Sequence, residues 1–215
     1  MICSTQIRLF AAVLVLVTSA ASAAPLTPPG NTQLRNDLQL LNDSGVTNVP
    51  LTAWPISNGD IALALDGKSQ RIMAPGVSAA LQRVQNHLRF EMEINSPLIT
   101  FDLAASHNPR FIRSFEDTPR NEGEVGASFS WMGERFALYL AATGVSNPFY
   151  GDEIQPDGSY VGVALGNWMV TAGWQDRWWG PSRDGSLILS TNARPTPGIA
   201  IQRNISESFK TKWLS

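Results

Sequence analysis

The chain has one cysteine and two histidines in 215 residues, and only 16% of its residues are charged. A lone cysteine closes no intramolecular bridge, so no disulfide framework is available. His87 and His107 have no neighbouring cysteine or paired carboxylate, so the spacing of a metal site is missing. The Gly-x-Ser-x-Gly elbow, the phosphate loop and Gly-x-Gly-x-x-Gly are all absent. The charge content is low against the roughly 25% usual for soluble domains. Sixteen Lys plus Arg and eighteen Asp plus Glu leave a net charge of −2, which gives no electrostatic reason to expect nucleic acid. After the N-terminus there is no apolar run of about 18 residues, so no later helix is expected to span a membrane.

What is present begins with an export leader. Arg8 supplies the positive region, Leu9 to Val17 an unbroken apolar run, and Ala21-Ser22-Ala23 a small-residue cleavage site. Residues 1–23 therefore read as a signal peptide, and Cys3 leaves with it.

Residues 24–95 read as a small helical unit. Asn31 can cap a helix whose stripe is Leu34, Leu38 and Leu41, and Gly45 stops it. Leu51 to Pro55 forms an extended link. Asn58 or Asp60 starts a short second helix through Ile61, Leu63 and Leu65. Pro75 opens a third, with Val77, Leu81, Val84 and Leu88 on one face. Glu91, Met92 and Glu93 either finish that helix or begin the next strand. His87 is expected on the helix surface.

From residue 96 the period changes to two. Ile99, Phe101, Leu103 and Ala105 alternate with Thr100, Asp102, Ala104 and Ser106. Val125, Ala127, Phe129 and Trp131 alternate with Glu124, Gly126, Ser128 and Ser130. The same pattern follows through Phe136, Leu138, Leu140 and Ala142, and again through Trp168, Val170, Ala172 and Trp174. The second face is mostly Gly, Ala, Ser and Thr, which suits the lumen of a membrane barrel more than the charged outer face of a soluble sandwich. Trp131, Phe136, Tyr160, Trp168 and Trp174 sit near strand ends, as an interfacial aromatic girdle would. The fold class is mainly β, an antiparallel transmembrane barrel preceded by a helical unit. A secreted soluble sandwich is the competing reading. Ser146 to Ser159 is polar and turn-rich and is expected to be an extracellular loop.

The most distinctive stretch runs from Trp178 to Pro197, with an aromatic pair, a Gly-Pro turn, an Asp-Gly turn and an Arg-Pro bend. Trp178-Trp179-Gly180-Pro181, Gly185-Ser186-Leu187-Ile188-Leu189-Ser190 and Asn192-Ala193-Arg194-Pro195 resemble the Wzi family of capsule-assembly proteins. Gln33 to Leu41 with Gly45-Val46, and Thr52-Ala53-Trp54-Pro55-Ile56, resemble earlier segments of the same family. Ser182-Arg183 and Thr191 depart from its usual residues. The resemblance implies a large outer-membrane barrel, of eighteen strands, with a periplasmic helical bundle, acting as a lectin-like holder of capsular or extracellular polysaccharide and monomeric when complete. Residues 98–215 suffice for about seven or eight spanning strands. The sequence is therefore expected to be the N-terminal part of a longer protein.

Candidate sugar contacts follow from chemistry. Trp178 and Trp179 either offer ring faces to a sugar or anchor at the membrane interface, and Arg183 and Asp184 offer planar hydrogen-bonding groups. Gly180, Pro181, Asn192, Arg194 and Pro195 read as structural parts of the motif. Arg194 is expected to form a lumenal ion pair, with Glu124 or Asp102 as its partner. No cofactor or metal is expected. A porin or small-solute channel is the alternative function. An enzyme, with Asp102, Glu116 or Asp117 as glycosidase carboxylates, is the less favoured one.

Overall fold

A computed structural model describes residues 26–68, 73–110, 112–148 and 151–206. The expected signal peptide and the last residues of the chain lie outside the described residues.

Three helices form as their end signals dictate. In α1 (Thr32–Asp43) the Asn31 side chain accepts the Leu34 N–H at 2.9 Å, satisfying one of the free amides of the first turn. Ser57, not Asn58 or Asp60, caps α2 (Asn58–Leu65) by accepting the Gly59 N–H. Pro75 opens α3 (Pro75–Glu91), so Glu91 is helical and Met92 is its C-cap. The apolar stripes of the three helices meet through Leu34, Leu38, Leu41, Ile61, Leu65, Leu81, Val84 and Leu88. Arg83 of α3 grips Asp37 of α1 with two hydrogen bonds, of 2.8 and 2.6 Å.

Among the described residues after α3, most of the strands build one 7-stranded antiparallel sheet. Its principal strands are β4 (Leu98–Ala105), β5 (Gly123–Met132), β6 (Phe136–Ser146), β8 (Tyr160–Leu165), β9 (Trp168–Gly173) and β11 (Gly198–Arg203). A short β7 (Ile154–Gln155) folds back onto β6, so the polar loop expected from Ser146 to Ser159 contains a strand of its own. Residues 133–135 and 166–167 are tight turns at one end of the sheet. The connections 106–122, 147–159 and 174–197 are long and leave from the other end.

The register sorts the two faces as the alternation requires. Phe101 pairs with Ala127, Phe129 with Leu140, Phe136 with Val163, and Ile201 with Val170, so these side chains share one face. That face is bare: Phe101 is 80% exposed and Leu103 83%, with Val125, Leu140, Val161, Ile199 and Ile201 also open. The opposite face carries Gly126, Ser128, Ala137, Gly162 and Thr171, and it lies against the helical unit. Tyr160 belongs to this inner face. It is buried, stacks on Tyr139 at 6.1 Å and takes the Leu26 N–H on its hydroxyl. Its place in an outer aromatic girdle is therefore corrected. The alternation puts the partner of Tyr139 inside, wherever along the strand it falls.

Two further short strands join the helical unit to the sheet's connections. Strand β1 (Leu26–Thr27) pairs with β3 (Ile56–Ser57), and β2 (Ala53–Trp54) pairs with β10 (Trp178–Trp179). Phe115 and Trp178, from two different connections of the sheet, complete the helical core beside Trp54. Residues 24–95 thus do not close their own core. No helix among the described residues is long and apolar enough to cross a membrane.

Truncating Phe115 to Ala should cost the helical unit about 3–5 kcal/mol, the usual loss for a buried aromatic ring. Phe101→Ala, on the bare face, should leave that stability unchanged. Denaturant unfolding followed at the helical far-ultraviolet signal separates the two outcomes.

Candidate functional site

The distinctive stretch is held from three sides. Trp178 lies opposite Trp54 in the β2–β10 pair, and the Gly180 N–H donates to Thr52 O at 2.8 Å. On the other edge, Trp179 N–H donates to Leu189 O at 2.9 Å and Leu187 N–H donates back to Trp179 O at 2.8 Å. Residues 187–189 therefore run beside the Trp pair. This return path needs glycine at 180, since a Cβ there would stand 3.0 Å from the Leu187 nitrogen. From behind, Arg35 of α1 donates through Nη2 to Pro181 O at 2.8 Å, Ser182 O at 3.3 Å and Gly180 O at 3.5 Å.

The rings of this region form one edge-to-face cluster. Phe115 stands 5.0 Å from Trp54 and 5.8 Å from Trp178, with interplanar angles of 67° and 89°. Both indoles also find acceptors, Leu51 O for Trp54 and Ser182 O for Trp178, each at 3.1 Å. Trp178 is 0% exposed, so its expected ring face for a sugar is corrected: Phe115 and the helical core cover it. Trp179, one residue on, points the other way and is 43% exposed. Arg183 and Asp184 are also exposed, with Asp184 N–H turned onto the Ser182 hydroxyl. Of the four expected sugar contacts, three are exposed.

The second half of the motif is built into a charge network. Asn192 Oδ1 accepts the Arg113 N–H at 2.7 Å, and its carbonyl takes Arg120 Nη1 at 3.4 Å. Arg113 is itself buried and donates to Asp117 at 3.1 Å, to Thr191 O at 3.3 Å and, very closely, to Thr118 O. Arg120 pairs with Asp176 at 3.0 Å. Burial pushes the Asp176 carboxyl above its ordinary range, and the facing Arg120 works against that rise. Arg194 does form an ion pair, but with Asp157, through two bonds of 2.9 and 2.8 Å. Glu124 is occupied in taking the amides of Arg120 and Asn121, and Asp102 sits exposed on β4. Gly151, at φ +86°, lies against the Arg194 guanidinium, which a Cβ there would have to displace.

Between the helical unit and the inner face of the sheet lies a cavity of about 510 Å³. Its walls include Gly30, His87, Glu91, Arg113, Tyr139, Asp157 and Asp176. His87 is therefore half-buried against β1, not on an open helix surface. Thr27 gives its hydroxyl proton to Asn58 Oδ1 at 2.7 Å, so at 3.1 Å it accepts the proton of His87 Nε2. Burial lowers the pKa of His87, and Glu91 one turn on opposes the shift. Glu116 and Asp117 line the same cavity, whereas Asp102 does not. Among the described residues, no group of three or more His, Cys, Asp or Glu could hold a metal ion.

These features define a mainly β protein in which one large antiparallel sheet lies over a small helical unit, with a tryptophan-bearing loop joining the two. The family profile of Capsule assembly protein Wzi matches residues 99–215, more than half of the chain, and the protein belongs to this family. A Klebsiella pneumoniae protein described as an uncharacterized 55.8 kDa protein in the cps region is 29% identical over 196 residues, which are 90% of this chain and 38% of that protein. The solved structure of Wzi from Escherichia coli is similar with a TM-score of 0.75 and 28% identity, covering 89% of this chain and 42% of that one. That protein is described as an outer-membrane protein involved in group 1 capsule assembly and a carbohydrate-binding β-barrel. The chain spans about two fifths of the length of these relatives.

Sequence reasoning missed Arg35, Arg113 and Phe115. Arg35 alone carried a signal: a cation flanking the Leu34–Leu38–Leu41 stripe of an otherwise apolar helix face. His87 yields a pH test. The folded state holds its imidazole neutral, so the unfolded chain binds more protons as pH falls. Its contribution is complete above the ordinary value of about 6.5 and is lost as pH falls from there toward the lowered folded value. Unfolding of the helical unit measured between pH 8 and pH 5 should show this loss, and His87→Gln should flatten it.

Proposed function

We propose that the complete gene product is an outer-membrane β-barrel that holds capsular or extracellular polysaccharide at the cell surface. The observation that carries the reading is the division of the sheet's two faces. One is continuously apolar and open; the other carries mostly small and polar side chains, with Tyr139, Tyr160 and Met169 among them, and the helical unit lies over part of it. A soluble protein seldom leaves so large an apolar area bare, whereas a barrel wall needs it against lipid. Strands β5 and β6, of 10 and 11 residues, have the length of spanning strands. Membership of the Wzi family and the description of the E. coli relative support the polysaccharide role.

In this reading the tight turns at 133–135 and 166–167 face the periplasm and the long connections face outward, as in other outer-membrane barrels. The helical unit enters from the periplasmic side, where the Asn95 N–H donates to Met132 O at the end of β5. Lipid meets the outer face. A cleaved leader delivers the protein, and the closed barrel is a monomer. Trp179, Arg183 and Asp184 are the proposed contacts: a ring face for the apolar side of a sugar, a guanidinium for a uronate carboxylate, and a carboxylate for hydroxyl donors. The net charge is negative, so attraction to an acidic polymer is local to this loop. A porin would need an open lumen; here the helical unit lies over part of the inner face, with a cavity of about 510 Å³ between them.

Binding is tested by retention of purified capsular polysaccharide on the complete barrel. Arg183→Ala should weaken retention by about tenfold, the loss of one charge-assisted hydrogen bond, with the difference shrinking as salt rises. Trp179→Ala should weaken it at every salt concentration. Equal retention by parent and both variants removes these residues from the site. Steady channels in a planar bilayer would favour the porin.

A further inference from the structure

Arg35 is 4% exposed, yet no carboxylate is hydrogen-bonded or ion-paired to it among the described residues. Its only acidic neighbour along α1, Asp37, is taken by Arg83. The guanidinium is held instead by neutral groups. Three successive carbonyls, of Gly180, Pro181 and Ser182, accept from Nη2, and the Phe115 ring lies 4.2 Å beneath the central carbon. Nη1 is buried and has no partner. A cation is costly to bury without a counterion, and a leucine or methionine could fill this position on the helix face at less cost.

The location of this unneutralised charge gives it a use. The three carbonyls it grips belong to the loop that ends in the exposed Arg183 and Asp184. The carbonyl of Arg183 is fixed in turn by the Phe115 N–H at 2.6 Å. Arg183 is also the charged group whose field acts on Arg35. Two positive charges therefore stand one behind the other, the inner one shielded from salt by its burial and the outer one free to touch a ligand. Arg35 points its donors at the loop backbone, so the loop's carbonyl dipoles are turned inward and away from an approaching anion.

We propose that Arg35 is the specificity-determining positioning residue of this surface. It locks the Gly180–Asp184 loop from behind and leaves a positive charge beneath Arg183, so that the loop selects polymers bearing carboxylates over neutral ones. The proposal rests on the polysaccharide reading of the Trp179–Asp184 face. It adds the selectivity and the residue that sets it.

The test uses the complete barrel in detergent with two probes, purified acidic capsular polysaccharide and the same polymer with its uronates reduced to neutral sugars. The parent should retain the acidic form about tenfold better. Arg35→Met should cut that preference to about threefold or less, leaving only the salt-dependent share carried by Arg183, while still retaining the reduced polymer. Arg35→Lys, which keeps the charge but cannot span three carbonyls, should keep a preference for the acidic form with weaker retention of both. Equal weakening of both polymers by Arg35→Met, with the ratio intact, would reduce Arg35 to a structural residue and overturn the proposal. Hydrogen exchange at the amides of residues 182–184 reads the lock without any ligand: it should speed up at least about tenfold in Arg35→Met. Unchanged exchange overturns the lock. A parent that retains neither polymer sinks the polysaccharide reading, and the selectivity role falls with it, while the exchange result still decides whether Arg35 holds the loop.

Discussion

The insertion of Phe115 and Trp178 into the helical unit is the contact on which the rest of this structure depends. Three short helices joined by extended segments bury too little surface to stand alone, and the small size of such a core is a general limit. Two aromatic rings from the sheet's connections supply what is missing. Each buries on the order of 150–250 Å², so together they contribute roughly 8–12 kcal/mol as an upper figure. The same insertion sets the position of everything around it. It pairs β2 with β10, brings the Gly180–Ser182 carbonyls to Arg35, and lays the helices along the inner face of the sheet. The helical unit and the strands are therefore coupled by packing, not merely joined by the chain.

Polar groups are handled differently on the two sides of this contact. In the connections, charges are neutralised in pairs: Arg113 with Asp117, Arg120 with Asp176, Arg194 with Asp157. The arginines of these pairs are buried or half-buried, where a cation left alone would be expensive, although Asp117 itself is exposed. Hydrogen bonds of Thr191 and Asn192 join the 106–122 connection to the 190–194 segment, with Asn192 serving both Arg113 and Arg120. At the helical unit Arg35 has no such partner. The difference separates two roles for the family's distinctive stretch. The Asn192-Ala193-Arg194-Pro195 part organises the connections, and the Trp178 to Asp184 part joins the helical unit to an open surface.

The misread positions share one cause. Trp178 and Trp179 are adjacent and chemically alike, and a two-residue strand sends one into a core and the other toward solvent. Nothing local says which. Arg194 needed an acid, and Glu124 and Asp102 were the two read from the sequence. Asp157 won because the long connection after β6 folds back across the sheet. His87 carries helix periodicity that places it beside the buried stripe, but the β1 segment that covers it lies some sixty residues earlier. Tyr160 read as a girdle residue because it starts a strand, and only the register with Tyr139 shows that it faces inward.

Local chemistry alone determined the three helices and the strands β4, β5, β6 and β9. Cap residues, proline at a first turn and the change of period near residue 96 set the helices and strands, because each depends on neighbours within a few residues. The alternation also determined that the strands have one apolar and one small polar face. The tertiary structure decided what those faces and loops do. Which tryptophan is buried, which acid meets Arg194, and that Arg35 lies under the loop bearing Arg183 all depend on contacts between residues 37 to 147 positions apart. Such contacts follow from how the connections fold over the helical unit, and no short-range pattern encodes that.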